Sequence, residues 1–180
     1  RPPGRPIISA IGSLLENTSR HIDYFLRPYV SGLQSNIKDT TDFLRCINGI
    51  YWEEDYKLIT MDVSSLYTSI DHEIGIQCCR YFLKTRSVCC LEHTEMLMNM
   101  LEFCLKNNHF VFDDKIYTQV QGAAMGSCFS PSYANLFMGW WEEQVACNLP
   151  GYEQVVLFVR FIDDLFFILK GTEEEASRFI

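Results

Sequence analysis

Asp163 and Asp164 stand side by side between two strongly apolar runs, Val155-Val156-Leu157-Phe158-Val159 and Leu165-Phe166-Phe167-Ile168-Leu169. Adjacent aspartates are ordinary in turns, because a short acidic side chain can hydrogen-bond its own backbone. Here both flanks are bulky and apolar, so the turn is expected at the end of buried strands. Two carboxylates there repel each other unless a cation pairs with them. A divalent metal is the natural partner, since Mg²⁺ takes hard carboxylate oxygens and keeps positions open for phosphate. Asp62 is the third candidate. Residues 57–63 alternate, with Ile59, Met61 and Val63 on one face and Leu58, Thr60 and Asp62 on the other. If that strand neighbours the turn, three carboxylates converge. They would supply the ligands that two metal ions about 4 Å apart need for phosphoryl transfer.

The elements around these residues follow from local pattern. Residues 1–6 hold three prolines and a glycine and are expected to be extended, with Ile7, Ile8 and Ser9 pairing as a short strand. Residues 13–30 and 40–50 suit helices. Asp71 is placed to cap a helix running towards Lys84. Leu97, Met100, Leu101, Cys104 and Leu105 form a helical stripe, with a Glu102–Lys106 pair on the surface. Residues 110–120 read as a hairpin turning at Asp113-Asp114. Residues 121–130 hold Gly122 and Gly126 and read as a loop. Ser130-Pro131 predicts a helix start, with the serine as cap. Ala134, Phe137, Met138 and Trp141 are its expected buried stripe, and Asn135 could face a cleft. A second hairpin over residues 155–169 is expected to turn at Asp163-Asp164, and a helix begins near Thr172. Helices mixed with two hairpins make an α+β pattern with antiparallel pairing.

The 180 residues carry 15 Lys and Arg against 23 Asp and Glu, a net charge of −8, with 48% hydrophobic residues. A disordered or collagen-like chain is excluded. An acidic balance counts against binding nucleic acid by bulk charge alone. The charge is uneven: residues 1–50 carry six basic and four acidic groups, and the acidic excess falls after them. No apolar run approaches the roughly 20 residues of a membrane-spanning helix. The chain begins with Arg1 and shows no signal-peptide pattern, so it is expected to be part of a longer protein. Its eight cysteines include no C-x-x-C pair and read as reduced core thiols of an intracellular protein.

Four stretches, in order, resemble the motifs of reverse transcriptases. Arg5-Pro6-Ile7-Ile8-Ser9 is similar to the fingers motif and Asp62-Val63-Ser64-Ser65-Leu66-Tyr67 to motif A. The stretch Gln121-Gly122-Ala123-Ala124-Met125-Gly126-Ser127-Cys128-Phe129-Ser130-Pro131 is similar to motif B, and Phe161-Ile162-Asp163-Asp164 to motif C. The detailed phrasing at 64–70, 108–121, 123–126 and 133–138 resembles Penelope-like retroelement reverse transcriptases, relatives of telomerase. The resemblance implies a right-hand polymerase, with residues 1–56 as partial fingers and 57–180 as palm, an antiparallel sheet packed on helices. Motif D and the thumb would lie outside the chain. Phe161 stands where the family usually has tyrosine.

The same resemblance implies the roles. Asp62, Asp163 and Asp164, with the Val63 carbonyl, would hold two Mg²⁺ ions, for which Mn²⁺ could substitute. Tyr67 would stack under the incoming sugar and block a 2′-hydroxyl, favouring dNTPs. Gln121 and Gly122 would lie over the nucleotide and template base, and Arg5 would contact the triphosphate. The implied activity is RNA-directed DNA synthesis on an RNA template with a DNA primer, in the nucleus or cytoplasm and without a membrane partner. The 180 residues alone are expected to give little or no processive synthesis. Two alternatives stay open: an inactive or domesticated module of the same fold that binds nucleic acid, and an RNA-dependent RNA polymerase, which Tyr67 argues against.

Overall fold

The computed structural model describes residues 7–86 and 90–179. Among them run helices α1 (Glu16–Ser31), α2 (Thr40–Ile47), α3 (Leu66–Ser69), α4 (His72–Arg86), α5 (Leu91–Lys106), α6 (Ser130–Gln144) and α7 (Glu173–Phe179). The strands are β1 (Tyr56–Asp62), β2 (His109–Phe112), β3 (Lys115–Thr118), β4 (Val155–Phe161) and β5 (Asp164–Lys170). These residues divide into two compact units, each made of two stretches: 7–32 with Ser65–Phe137, and Leu33–Ser64 with 138–179. The expected boundary at 56/57 falls inside the second unit, after the first residue of β1, and does not coincide with the division into units.

In the first unit α1, α4 and α5 pack together. Their inner faces supply Ile22 and Leu26, Phe82 and Leu83, and Leu97, Met98, Leu101 and Leu105, all buried. The α5 stripe differs by one position from expectation: Met98 is buried and Met100 half-buried. Asp71 does cap α4, its Oδ1 accepting the amides of Glu73 at 2.9 Å and Ile74 at 3.1 Å. Gly75 matters for a different reason. A Cβ there would lie 1.8 Å from the Tyr133 hydroxyl, so only glycine lets that buried ring reach α4. Ser9 bridges to Gly126 as a short parallel pairing. Strands β2 and β3 form a separate two-stranded hairpin.

In the second unit the sheet order is β1-β5-β4, antiparallel throughout. The apolar run of β5 takes the centre, where both faces are covered, which explains why it does not alternate. Phe167 stacks on Phe158 with ring centroids 4.4 Å apart and meets Phe179 of α7 edge-on at 5.3 Å. On the opposite face Phe166 meets Phe43 of α2 at 4.9 Å. The start of α7 is a capping box: Thr172 Oγ1 accepts the Glu175 amide, and the Glu175 carboxylate accepts the Thr172 amide at 2.8 Å.

Three sequence expectations are corrected. Ser130 does not cap α6; its hydroxyl donates to the Ala124 carbonyl at 2.6 Å and ties down the preceding loop. Phe137 and Trp141 are half-buried, whereas burial extends around α6 to Ser132, Tyr133, Asn135 and Leu136. Asn135 therefore faces no cleft: it is 6% exposed, and its amide donates back to the Pro131 carbonyl at 3.0 Å. A stripe pattern misses this helix because it is surrounded on most sides. The cysteines also divide. Cys78, Cys79 and Cys104 are buried, Cys128 is half-buried, and Cys46, Cys90 and Cys147 are exposed; all are free thiols. Burial pushes the Cys78 thiol up to about 12 and the Cys104 thiol up to about 11. Cys89 lies outside the described residues. No helix among the described residues is long and apolar enough to cross a membrane.

Candidate active site

Register places the aspartates. Asp62, the last residue of β1, pairs directly with Asp164, the first residue of β5. Asp164 also pairs with Phe161, the last residue of β4. The turn between β4 and β5 therefore consists of Ile162 and Asp163, one residue earlier than the Asp163-Asp164 turn read from sequence. Asp62, Asp164 and Phe161 share one face at the sheet end, all exposed, while Asp163 projects from the turn beside them. The Val63 amide donates to the Asp163 carbonyl at 3.0 Å, which stitches the chain just after β1 to that turn.

The donor set is hard carboxylate oxygen on an exposed sheet end, which suits Mg²⁺ or Mn²⁺. No group of three or more His, Cys, Asp or Glu side chains among the described residues is gathered closely enough to hold a metal ion. The backbone brings the three aspartates to neighbouring positions at one end of the sheet. Like charges directly opposite across a strand pair repel, and exposed carboxylates are well solvated.

Two features of this turn were not read from sequence. Ile162 has φ 58°, the left-handed region that a β-branched residue avoids. Such a residue costs on the order of 1–3 kcal/mol and persists only where its surroundings hold it. Arg160, two residues earlier, is fully buried. Its place amid an apolar strand was the signal available in the sequence, since a buried arginine must be paired.

The remaining expected site residues lie in the first unit and come together by backbone contact. Tyr67 is half-buried in α3, and its carbonyl accepts the Ala123 amide at 2.7 Å. Gln121 donates from Nε2 to the Ser69 carbonyl at 3.2 Å. The Gly122 amide donates to the Ile70 carbonyl at 3.1 Å, and the Gly122 carbonyl accepts from His72 Nε2 at 2.7 Å. Gly122 has φ 72°, and a Cβ there would lie 2.3 Å from the Tyr67 carbonyl oxygen. Glycine is required on both counts. Gly126 is confined too: a Cβ would stand 1.8 Å from the Ile8 carbonyl oxygen. The loop is braced from α1, where the Ser19 hydroxyl accepts the Phe129 amide and the buried Asp23 carboxylate accepts the Ser132 hydroxyl. Arg5 lies outside the described residues.

No family model matches the chain, and no curated protein matches it in sequence. Solved structures do. Apo telomerase from Candida tropicalis, truncated from its C-terminal domain, matches with a TM-score of 0.68 at 12% identity, over 89% of this chain and 36% of that one. Telomerase from Candida albicans, in complex with the TWJ fragment of telomeric RNA, matches with a TM-score of 0.69 at 10% identity, over 87% of this chain and 31% of that one. The corresponding Candida tropicalis complex gives 0.63 at 13% identity. The chain spans about a third of the length of these neighbours. At such identities the likeness is one of fold: helices with antiparallel sheets arranged as in part of telomerase, a reverse-transcriptase-like fold.

Proposed function

We propose that this chain is the catalytic core of an RNA-directed DNA polymerase that adds dNTPs to a primer 3′-hydroxyl on an RNA template. The observation that carries the reading is the pairing of Asp62 with Asp164 across β1 and β5, with Asp163 in the adjoining turn. The fold shared with telomerase supports it. So does the phrasing of the motifs, which favours a Penelope-like retroelement as the source.

Asp62, Asp163 and Asp164, with the Val63 carbonyl, would hold the two divalent ions. When bound, such ions lower the pKa of the attacking hydroxyl and stabilise the leaving pyrophosphate. The carboxylates orient them and offset their charge. Tyr67 would exclude a 2′-hydroxyl by occupying its space. The Gln121-Gly122 backbone, anchored to Ser69 and Ile70, would present a flat surface to the nucleotide and template base. Arg5 would pair with triphosphate oxygens through its planar fork.

The same fold could serve as a non-catalytic nucleic-acid-binding module, a reading that needs nothing beyond the likeness of fold to telomerase. One experiment decides. Primer extension on an RNA template is measured for the full polypeptide carrying these residues, with Mg²⁺ and either dNTPs or rNTPs. The proposal requires dNTP incorporation that Asp163→Asn removes, and an rNTP preference stays low until Tyr67→Ala is introduced. Template binding without incorporation would establish the non-catalytic module. Preferential rNTP incorporation by the unaltered protein would establish an RNA polymerase.

A further inference from the structure

We infer that Arg160 is a positioning residue that locks the Ile162-Asp163 turn and so aims the Asp163 carboxylate. Its consequence for catalysis rests on the metal-binding role proposed above for Asp163; its effect on the turn does not.

Arg160 is 0% exposed, an expensive place for a guanidinium unless every donor has a purpose. Its Nε donates to Glu142 Oε1, and the other carboxylate oxygen of Glu142 accepts the Ser35 hydroxyl. The charge is thereby neutralised within the second unit. A second donor, Nη1, reaches the Ile162 carbonyl at 2.8 Å. The backbone of Arg160 is also held at both ends: its amide donates to the Ser35 carbonyl at 2.7 Å, and its carbonyl accepts the Ile37 amide at 3.0 Å. One side chain therefore links a fixed strand end, a buried carboxylate on α6 and the carbonyl of the strained residue.

Ile162 at φ 58° needs such a clamp, because a β-branched residue leaves the left-handed region when nothing holds it. Beyond the Phe161–Asp164 strand pairing that closes it, this turn is held by hydrogen bonds from Arg160 Nη1 to the Ile162 carbonyl and from the Val63 amide to the Asp163 carbonyl. Arginine suits the post because its planar fork serves two acceptors at once. A lysine has one nitrogen and could serve Glu142 or Ile162 only at the expense of the other.

Two variants test this. Arg160→Lys keeps a charge opposite Glu142. The double variant Arg160→Met/Glu142→Leu removes both charges together, a change that folded proteins tolerate. The readout is residue-resolved amide hydrogen exchange. In both variants, exchange at Val63, whose amide bonds the Asp163 carbonyl, should accelerate at least about tenfold, with Ile59 and Phe167 unchanged, as for a local opening. Unchanged protection at Val63, or uniform acceleration across the sheet, would overturn the inference. Mn²⁺ binding to the same chains is measured alongside by water-proton relaxation, and Arg160→Lys should weaken it roughly tenfold if the turn aims Asp163. Equal Mn²⁺ affinity in Arg160→Lys, where binding depends on Asp163, would overturn the aiming role. No Mn²⁺ uptake, or uptake indifferent to Asp163→Asn, would instead remove the metal reading while exchange still decides what Arg160 does.

Discussion

The described residues contain two hairpins, each with an Asp-Asp pair at or beside its turn, and they use it differently. In the β2–β3 hairpin Phe112 pairs with Lys115, so Asp113 and Asp114 are the two turn residues. Both have positive φ, 52° and 56°, which aspartate tolerates by hydrogen-bonding locally. Both strands are largely exposed, and the Phe110–Tyr117 ring stack, with centroids 5.5 Å apart, joins them. In the β4–β5 hairpin the aspartates sit one residue later. Ile162 takes the left-handed position, Asp163 completes the turn, and Asp164 enters the strand opposite Asp62. The dipeptide is the same, but only the second hairpin puts a poor turn former where a good one would relax. A buried arginine then holds it there. The chemistry proposed for this site would depend on where the pair falls relative to the turn and on what backs it.

That contrast can be broken at several points. The largest difference should come from the aspartates themselves. Asp163→Asn should lower primer extension by the full polypeptide on the order of 10³-fold, since the metal charge it is proposed to orient would be worth several kcal/mol to the transition state. Asp113→Asn with Asp114→Asn should leave extension within about twofold. Comparable losses in both hairpins would erase the distinction.

Turn chemistry comes next. Asp113→Ile puts a β-branched residue at φ 52° with no side-chain clamp of the kind Arg160 provides. It should destabilise the first hairpin by about 1–3 kcal/mol, seen as a lower denaturation midpoint. Ile162→Gly relieves strain but frees the unfolded chain, so the two effects should nearly cancel, within about 1 kcal/mol. A large loss for Ile162→Gly would mean that the isoleucine side chain, and not the backbone, is what the fold requires.

The far end of β5 offers a pH-dependent check. Glu175 is held below its ordinary range, chiefly by the Thr172 amide and hydroxyl in the capping box. A carboxyl lowered on folding stabilises the native state above its unfolded pKa. That contribution is lost as pH falls through the lower folded value. Thermal melting followed from pH 6 to pH 3 should therefore show a component that Glu175→Gln removes. The smallest effect is expected for Phe161→Tyr. The ring is 44% exposed and a hydroxyl reaches solvent from it, so melting should shift by no more than about 0.5 kcal/mol and extension by less than twofold.

Much of this was legible because local rules and tertiary context agreed. The alternation of residues 57–63 matches β1, where Ile59 is buried while Leu58, Thr60 and Asp62 are exposed. Asp71 caps α4 as its position suggested. Ser130 departed from the rule because its hydroxyl had a competing acceptor in Ala124, supplied by a loop that a linear pattern does not describe. The α6 stripe failed because neighbours cover that helix on most sides, so hydrophobic periodicity carried little information.

The sequence by itself determined most of the elements, the order of the motif-like stretches and which three carboxylates are candidates. Side-chain alternation, turn residues and carboxylate chemistry are properties of short stretches. Tertiary structure alone decided the register that sets Asp62 opposite Asp164. It also placed the turn one residue early, so that Ile162 bears the strain, and joined Arg160 to Glu142 across eighteen positions. Strand register depends on which faces are buried and on how the turn closes, and a buried ion pair depends on what surrounds it. Neither is written in the spacing of the residues that take part.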